Sequence, residues 1–99
     1  MYSNNLRLCS LVPPHVTTNS SVVVLKDHSV VLKCVASGIP APSLRWLKNN
    51  TETGVSGDQL EIVSADLKDE GQYMCIGKNK GGQHNSTVTI EVHCKYKIE

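Results

Sequence analysis

Four cysteines, Cys9, Cys34, Cys75 and Cys94, carry most of the chemistry that the residue types of this 99-residue chain allow. Four thiols in so short a chain point to an oxidising compartment, where cysteines serve as cross-links. The four histidines, His15, His28, His84 and His93, stand at no metal-ligand spacing, and the His93-Cys94 pair reads as chance adjacency. No Gly-x-Ser-x-Gly elbow, phosphate-binding loop or paired-carboxylate arrangement occurs. Asp66, Asp69 and Glu70 cluster, but a turn with solvated charge accounts for them. The expectation is a chain that is not an enzyme, with no catalytic residue, metal site or cofactor.

A second chemistry is written in three tripeptides. Asn19-Ser20-Ser21, Asn49-Asn50-Thr51 and Asn85-Ser86-Thr87 each match the acceptor pattern for N-glycosylation. Each falls near a strand end or a loop, where a glycan can be accommodated. Together with the cysteines they place the chain outside the cell. A net charge of +1 and a pI near 7.7 exclude a polybasic nucleic-acid or membrane footprint. Lys78, Lys80, Lys95 and Lys97 could still attract sulfated glycans, a weaker reading that predicts salt-sensitive heparin retention. No apolar run reaches the length of a bilayer span, so direct membrane insertion of this segment is not expected. Tyr2, Ser3, Asn4 and Asn5 follow Met1 where a signal peptide would be apolar, so a secretory chain would be a piece of something longer.

The elements that hold these residues are strands. Val30, Leu32, Cys34 and Ala36 alternate with Val31, Lys33 and Val35; Leu44 and Trp46 share one side of a second run, and Leu60 and Ile62 make a third. Tyr73, Cys75 and Gly77 share one side of a fourth, and Val88, Ile90 and Val92 form the cleanest alternation. Val22-Val23-Val24-Leu25 reads as an edge strand. Gly38-Ile39-Pro40-Ala41-Pro42 breaks a ladder, Gly54 and Gly57 interrupt the stretch after Trp46, and Lys80-Gly81-Gly82 suits a tight hairpin needing positive φ. Ser64 to Glu70 reads as a one-turn crossover. Short strands with turns between them predict an all-β, two-sheet antiparallel sandwich. Residues 1–12 read as a flanking linker, 13–93 as the domain and 94–99 as a tail leading to a following domain.

Cys34 and Cys75 on inward faces, Trp46 between them and Asp69-Glu70-Gly71-Gln72-Tyr73-Met74-Cys75 together resemble an immunoglobulin-like domain. The stretch matches that family's Asp-x-Gly-x-Tyr-x-Cys motif, while Ser37-Gly38-Ile39-Pro40-Ala41-Pro42 and Lys78-Asn79-Lys80-Gly81 resemble its intermediate set (I-set, C2-like). That set populates adhesion molecules, receptor tyrosine kinase ectodomains, matrix proteins and muscle giants. The resemblance implies a Cys34–Cys75 disulfide across the sheets, Trp46 packed on it and a corner formed by Tyr73 with Asp69 and Gly71. In a reduced, cytosolic member the two cysteines would instead be buried thiols. A cross-link closing about 40 residues is worth roughly 4 kcal/mol, and Trp46 supplies bulk to a chain without phenylalanine.

Departures from the family pattern carry expectations of their own. Lys26-Asp27-His28 replaces the usual glycine turn, which Asp tolerates. The connection from Trp46 to Leu60 is short, so one intermediate strand between C and E (C′ or D) should be vestigial or missing. No arginine is placed to face Asp69, which should bond backbone amides of its own turn. In this fold the first strand runs parallel to the last, so an eight-residue strand separates the ends carrying Cys9 and Cys94 by about 25 Å. That exceeds disulfide reach, so these two should pair outside the domain or stay free. Leu47, Met74 and Ile76 should project from the outer face beside Arg45 and Gln72 as an exposed apolar patch, a candidate interface. Val31, Val35 and Val63 should point outward from the other sheet.

The function these readings imply is non-catalytic recognition and spacing in a multi-domain cell-surface adhesion molecule or receptor. Its partners would be proteins (homophilic or receptor–ligand) and neighbouring immunoglobulin-like domains. The alternatives are a structural module of an intracellular muscle or cytoskeletal protein, or a glycan-binding module of a receptor tyrosine kinase ectodomain.

Overall fold

The computed structural model describes residues 11–94. Alternation along the chain becomes alternation across a sheet: in the last strand Val88, Ile90 and Val92 are buried while Thr87, Thr89, Glu91 and His93 face water. Among the described residues nine strands form: β1 (Val12–Thr17), β2 (Ser21–Leu25), β3 (Val30–Lys33), β4 (Val35–Ile39), β5 (Ser43–Lys48), β6 (Thr51–Ser56), β7 (Gln59–Ile62), β8 (Gly71–Asn79) and β9 (Gly82–His93). The stretch Ser64 to Glu70 contributes a single 3-10 turn, Leu67–Asp69, as the one-turn crossover expected.

One layer is a five-stranded sheet ordered β2-β9-β8-β5-β6, with β2 parallel to β9 and the other pairs antiparallel. In the other layer β1 pairs with β4 and β3 with β7. Because β3 and β4 are halves of one extended stretch interrupted at Cys34, this layer reads as three strands with the middle one split. The inward faces enclose Val16, Val24, Leu32, Cys34, Trp46, Leu60, Ala65, Tyr73, Cys75, Val88, Ile90 and Val92. The shortened connection is resolved in favour of the strand beside β5: β6 forms, and Gly57-Asp58 then lead straight into β7. Among the described residues no strand flanks β7 on its outer side.

Pro13-Pro14 lies inside β1, one residue past its start, at an edge of its layer and where the register with β4 shifts between Val12 and His15. Two local readings change. Gly38 and Ile39 stay in the ladder with β1, so the break falls at Pro40 and not at Gly38. Gly54 does not interrupt its stretch: it sits within β6 with φ +82°. The turns behave as their residues suggest, with Asp27 at φ +73° before β3 and Gly82 at φ +145° closing the β8–β9 hairpin.

Candidate contact surface

The scaffold behind any surface is pinned at its centre. Cys34 and Cys75 form a disulfide between the layers, Cα to Cα 6.4 Å. Trp46 stands opposite Cys75 in the β5–β8 register, is fully buried, and donates its indole N–H to the Gly57 carbonyl at 3.0 Å. Tyr73, 3% exposed, donates its hydroxyl to the Asp69 carbonyl oxygen at 2.7 Å. Burial, and secondarily the negative charge of Asp69, pushes its phenol up to about 12. Asp69 turns its carboxylate onto its own turn, accepting from the Asp66 N–H at 2.8 Å, while Asp66 accepts from the Leu67 N–H at 2.7 Å. That reciprocal capping stands in for the missing arginine. Glu70 is more than solvated charge: its carboxylate accepts the Val92 N–H of β9 at 2.8 Å.

On the outer face of the five-stranded sheet, cross-strand rows bring the expected residues together. Thr87, Met74, Leu47 and Glu52 form one row; Asn85, Ile76, Arg45 and Ser56 form the next. Arg45 and Glu52 join the rows by an ion pair between two half-exposed side chains, an interaction of modest worth in water. The apolar trio is contiguous, but it is not an open patch. Ile76 is 5% exposed, and Leu47 and Met74 are half-buried. Ile76 counts among the buried hydrophobic residues without belonging to the main core cluster. Its burial comes instead from its position between Arg45 and Asn85 in the central strand of the sheet.

The more exposed valines lie on the opposite layer. Val31, Val35 and Val63 are 42%, 69% and 75% exposed, as the alternation implies. Thr17, Thr18, Asn19, Val31, Lys33 and Val35 line a groove of about 360 Å³ there.

The three glycosylation tripeptides occupy different settings. Asn19 is exposed in the β1–β2 loop, and Asn85 is exposed on β9 opposite Ile76. Asn49, at φ +49° in the β5–β6 turn, uses its Oδ1 to accept the Gln72 N–H at 3.1 Å. Cys94 is exposed just after β9, whereas Cys9 lies outside the described residues, as do Lys95 and Lys97. Lys78 and Lys80 are exposed at the β8–β9 hairpin. Among the described residues no group of three His, Cys, Asp or Glu side chains is placed to hold a metal ion. No described helix is long and apolar enough to cross a membrane.

Two fastenings have no clear sequence signal. Asn79 donates to the Val12 carbonyl at 2.9 Å and the Pro40 carbonyl at 2.8 Å, and accepts the Gly81 N–H at 2.7 Å. His84 accepts the Val16 N–H on Nδ1 at 2.9 Å and stacks on His15, ring centres 5.0 Å apart. Both join β1 to the opposite layer; Asn79 lies in the Lys78-Asn79-Lys80-Gly81 stretch, but nothing in that stretch or around His84 announces such a bond.

A two-layer β sandwich with a cross-layer disulfide, a tryptophan beside it and a tyrosine corner defines the immunoglobulin fold. The family profile described as an immunoglobulin domain matches residues 13–79, and the chain belongs to that family. As a member it is a non-enzymatic module. Human hemicentin-1 is 38% identical over 93 residues, covering 83% of this chain and 2% of that protein. Human neural cell adhesion molecule 1 is 32% identical over 101 residues, covering 88% of this chain and 12% of that protein. The chain therefore spans a small fraction of the length of these relatives. A crystal structure of the N-terminal four immunoglobulin domains of Dscam1 superposes with a TM-score of 0.78 at 22% identity, over 83% of this chain and 21% of the other, a likeness of fold alone.

Proposed function

We propose that the chain is an extracellular recognition and spacer module of the intermediate set, part of a multi-domain cell-surface adhesion molecule. It works through protein contacts made by the outer face of its five-stranded sheet. The observation that carries this reading is the juxtaposition of Leu47 and Met74 across β5 and β8, with Ile76 as their neighbour. A half-buried apolar centre within a polar rim of Arg45, Glu52, Gln72, Asn85 and Thr87 is the anatomy of a protein contact. Similarity to neural cell adhesion molecule 1 supports the adhesion reading, since the fold by itself hosts many functions.

The test is bead aggregation and cell binding by the oxidised chain, compared with Leu47→Asp and Met74→Lys variants. Loss of association in both variants, with the unfolding midpoint kept, is the expected result. Association that survives both changes overturns the assignment of this face.

A further inference from the structure

We infer that Asn19 is a glycan acceptor whose innermost sugar packs into the groove beside it, against Val31 and Val35. The inference rests on the extracellular reading above, because the modification needs a secretory route. The groove lies on the outer face of the three-stranded layer, lined by Val31 and Lys33 of β3, Val35 of β4 and Thr17 of β1, together with Thr18 and Asn19. Thr17 and Val35 stand directly opposite in the β1–β4 register. Its volume, about 360 Å³, falls in the range of small-ligand sites.

Asn19, in the lining of this groove, is held from both sides. Thr18 shares a hydroxyl–hydroxyl bond of 2.8 Å with Ser86, and the Ser20 carbonyl accepts the Thr89 N–H at 3.1 Å. The asparagine between them is exposed, and its side-chain amide takes no part in the hydrogen bonds of the described residues. Asn49 offers the contrast. Its Oδ1 is committed to the Gln72 N–H and its side chain lies against the α-carbon of Gly71, so it is already anchored to β8. Asn85 is exposed on β9, opposite Ile76 on the outer face of the five-stranded sheet.

The chemistry of an N-linked sugar suits the lining. The C–H face and acetyl methyl of an N-acetylhexosamine are apolar and cover valine methyls that water otherwise meets. The Lys33 ammonium has three donors for sugar hydroxyls. In the transfer itself, Asn19 Nδ2 forms a bond to C1 of a sugar carried on a polyprenyl diphosphate. The C1–O bond to that carrier breaks, the diphosphate leaves with the electron pair, and one amide proton is released. No atom changes oxidation state.

The test secretes the 99-residue chain, behind a cleavable leader, from a glycosylating yeast fed methyl-labelled valine. Glycopeptide mass spectrometry reads occupancy, and nuclear Overhauser contacts between sugar and valine methyls read the packing. Occupied Asn19, with sugar contacts to Val31 and Val35 that vanish in Asn19→Gln and persist in Asn85→Gln, is expected. Occupied Asn19 without those contacts overturns the inference, as does an unoccupied Asn19 in the secreted, oxidised chain. Because adhesion is read separately by bead aggregation with Leu47 and Met74 variants, either failure leaves the contact reading standing. Loss of the contact reading likewise leaves this one to its own measurement.

Discussion

The side chain of Asn49 lies across the α-carbon of Gly71: a Cβ built on that glycine would stand 2.8 Å from Oδ1 and 2.9 Å from Nδ2. The same Oδ1 accepts the N–H of Gln72, so the β5–β6 turn is fastened to the start of β8. Gly71 has φ +142°, a conformation a side chain resists wherever it occurs. Gly71→Ala therefore meets both backbone strain and a contact, and should cost about 1–3 kcal/mol. In an Asn49→Ala background the contact is gone while the strain remains, so the cost should be smaller. Equal costs in the two backgrounds, measured by urea denaturation, would remove Asn49 from the account.

The Cys34–Cys75 cross-link joins β4's leading end to the middle of β8, with a sequence separation of 41. In the chain-entropy description a loop of that size is worth about 4 kcal/mol, a large share of the ~5–15 kcal/mol typical of a domain. Replacing both cysteines with alanine should lower stability by that order. The denaturant midpoint is the readout, and a midpoint unchanged by reductant would show that the two sulfurs are thiols in solution.

Gly77 marks a close approach of β1 to β8. A Cβ there would fall 2.7 Å from Val16 Cγ1 and 3.2 Å from Leu44 Cδ2. Val16 is 2% exposed and its N–H is held by His84, so it has little freedom to retreat. Gly77→Ala should destabilise by about 1–3 kcal/mol through overpacking. Faster amide exchange in β1 than in β5 should accompany it. Adding Val16→Ala should restore part of the loss, and two strictly additive costs would contradict the close approach as the cause.

How far all this was legible in the residues depends on what each signal measures. Period-two alternation finds strands with one wet face, and it located β5, β7, β8 and β9. It passes over β6, whose Thr-Glu-Thr-Gly-Val-Ser stretch lacks alternation and is ordered by pairing with β5. It passes over β1 as well, because Pro13-Pro14 supplies no ladder N–H and His15-Val16-Thr17 is too short a run to show a period. The single run from Val30 to Ala36 hides a change of partner, β7 before Cys34 and β1 after it. At the contact face, pattern supplied the side on which Leu47, Met74 and Ile76 stand. Exposure depends on neighbours across the sheet, and those are set by register, which no local pattern encodes.

Tyr73 turns the corner bond into a pH dependence with a definite sign. Its phenol moves from an ordinary 10.0 to about 12 on folding, chiefly because burial disfavours the phenolate and then because Asp69 repels it. An acid held protonated by the native state gives a folded chain that binds more protons than the unfolded one above pH 10. Stability is therefore full below about pH 10 and falls as pH rises toward about 12. Two units correspond to on the order of 2 kcal/mol once partial solvation is allowed for. Tyr73→Phe also loses the bond to the Asp69 carbonyl, a pH-independent cost of about 0.5–1.5 kcal/mol. The variant should start less stable at neutral pH and lose less between pH 10 and 12, so the two curves converge. Other groups that titrate in the same window contribute equally to both chains and cancel in the difference. Parallel curves, with a constant gap from pH 7 to 12, would show that the Tyr73 phenol ionises in the native state as readily as in the unfolded one.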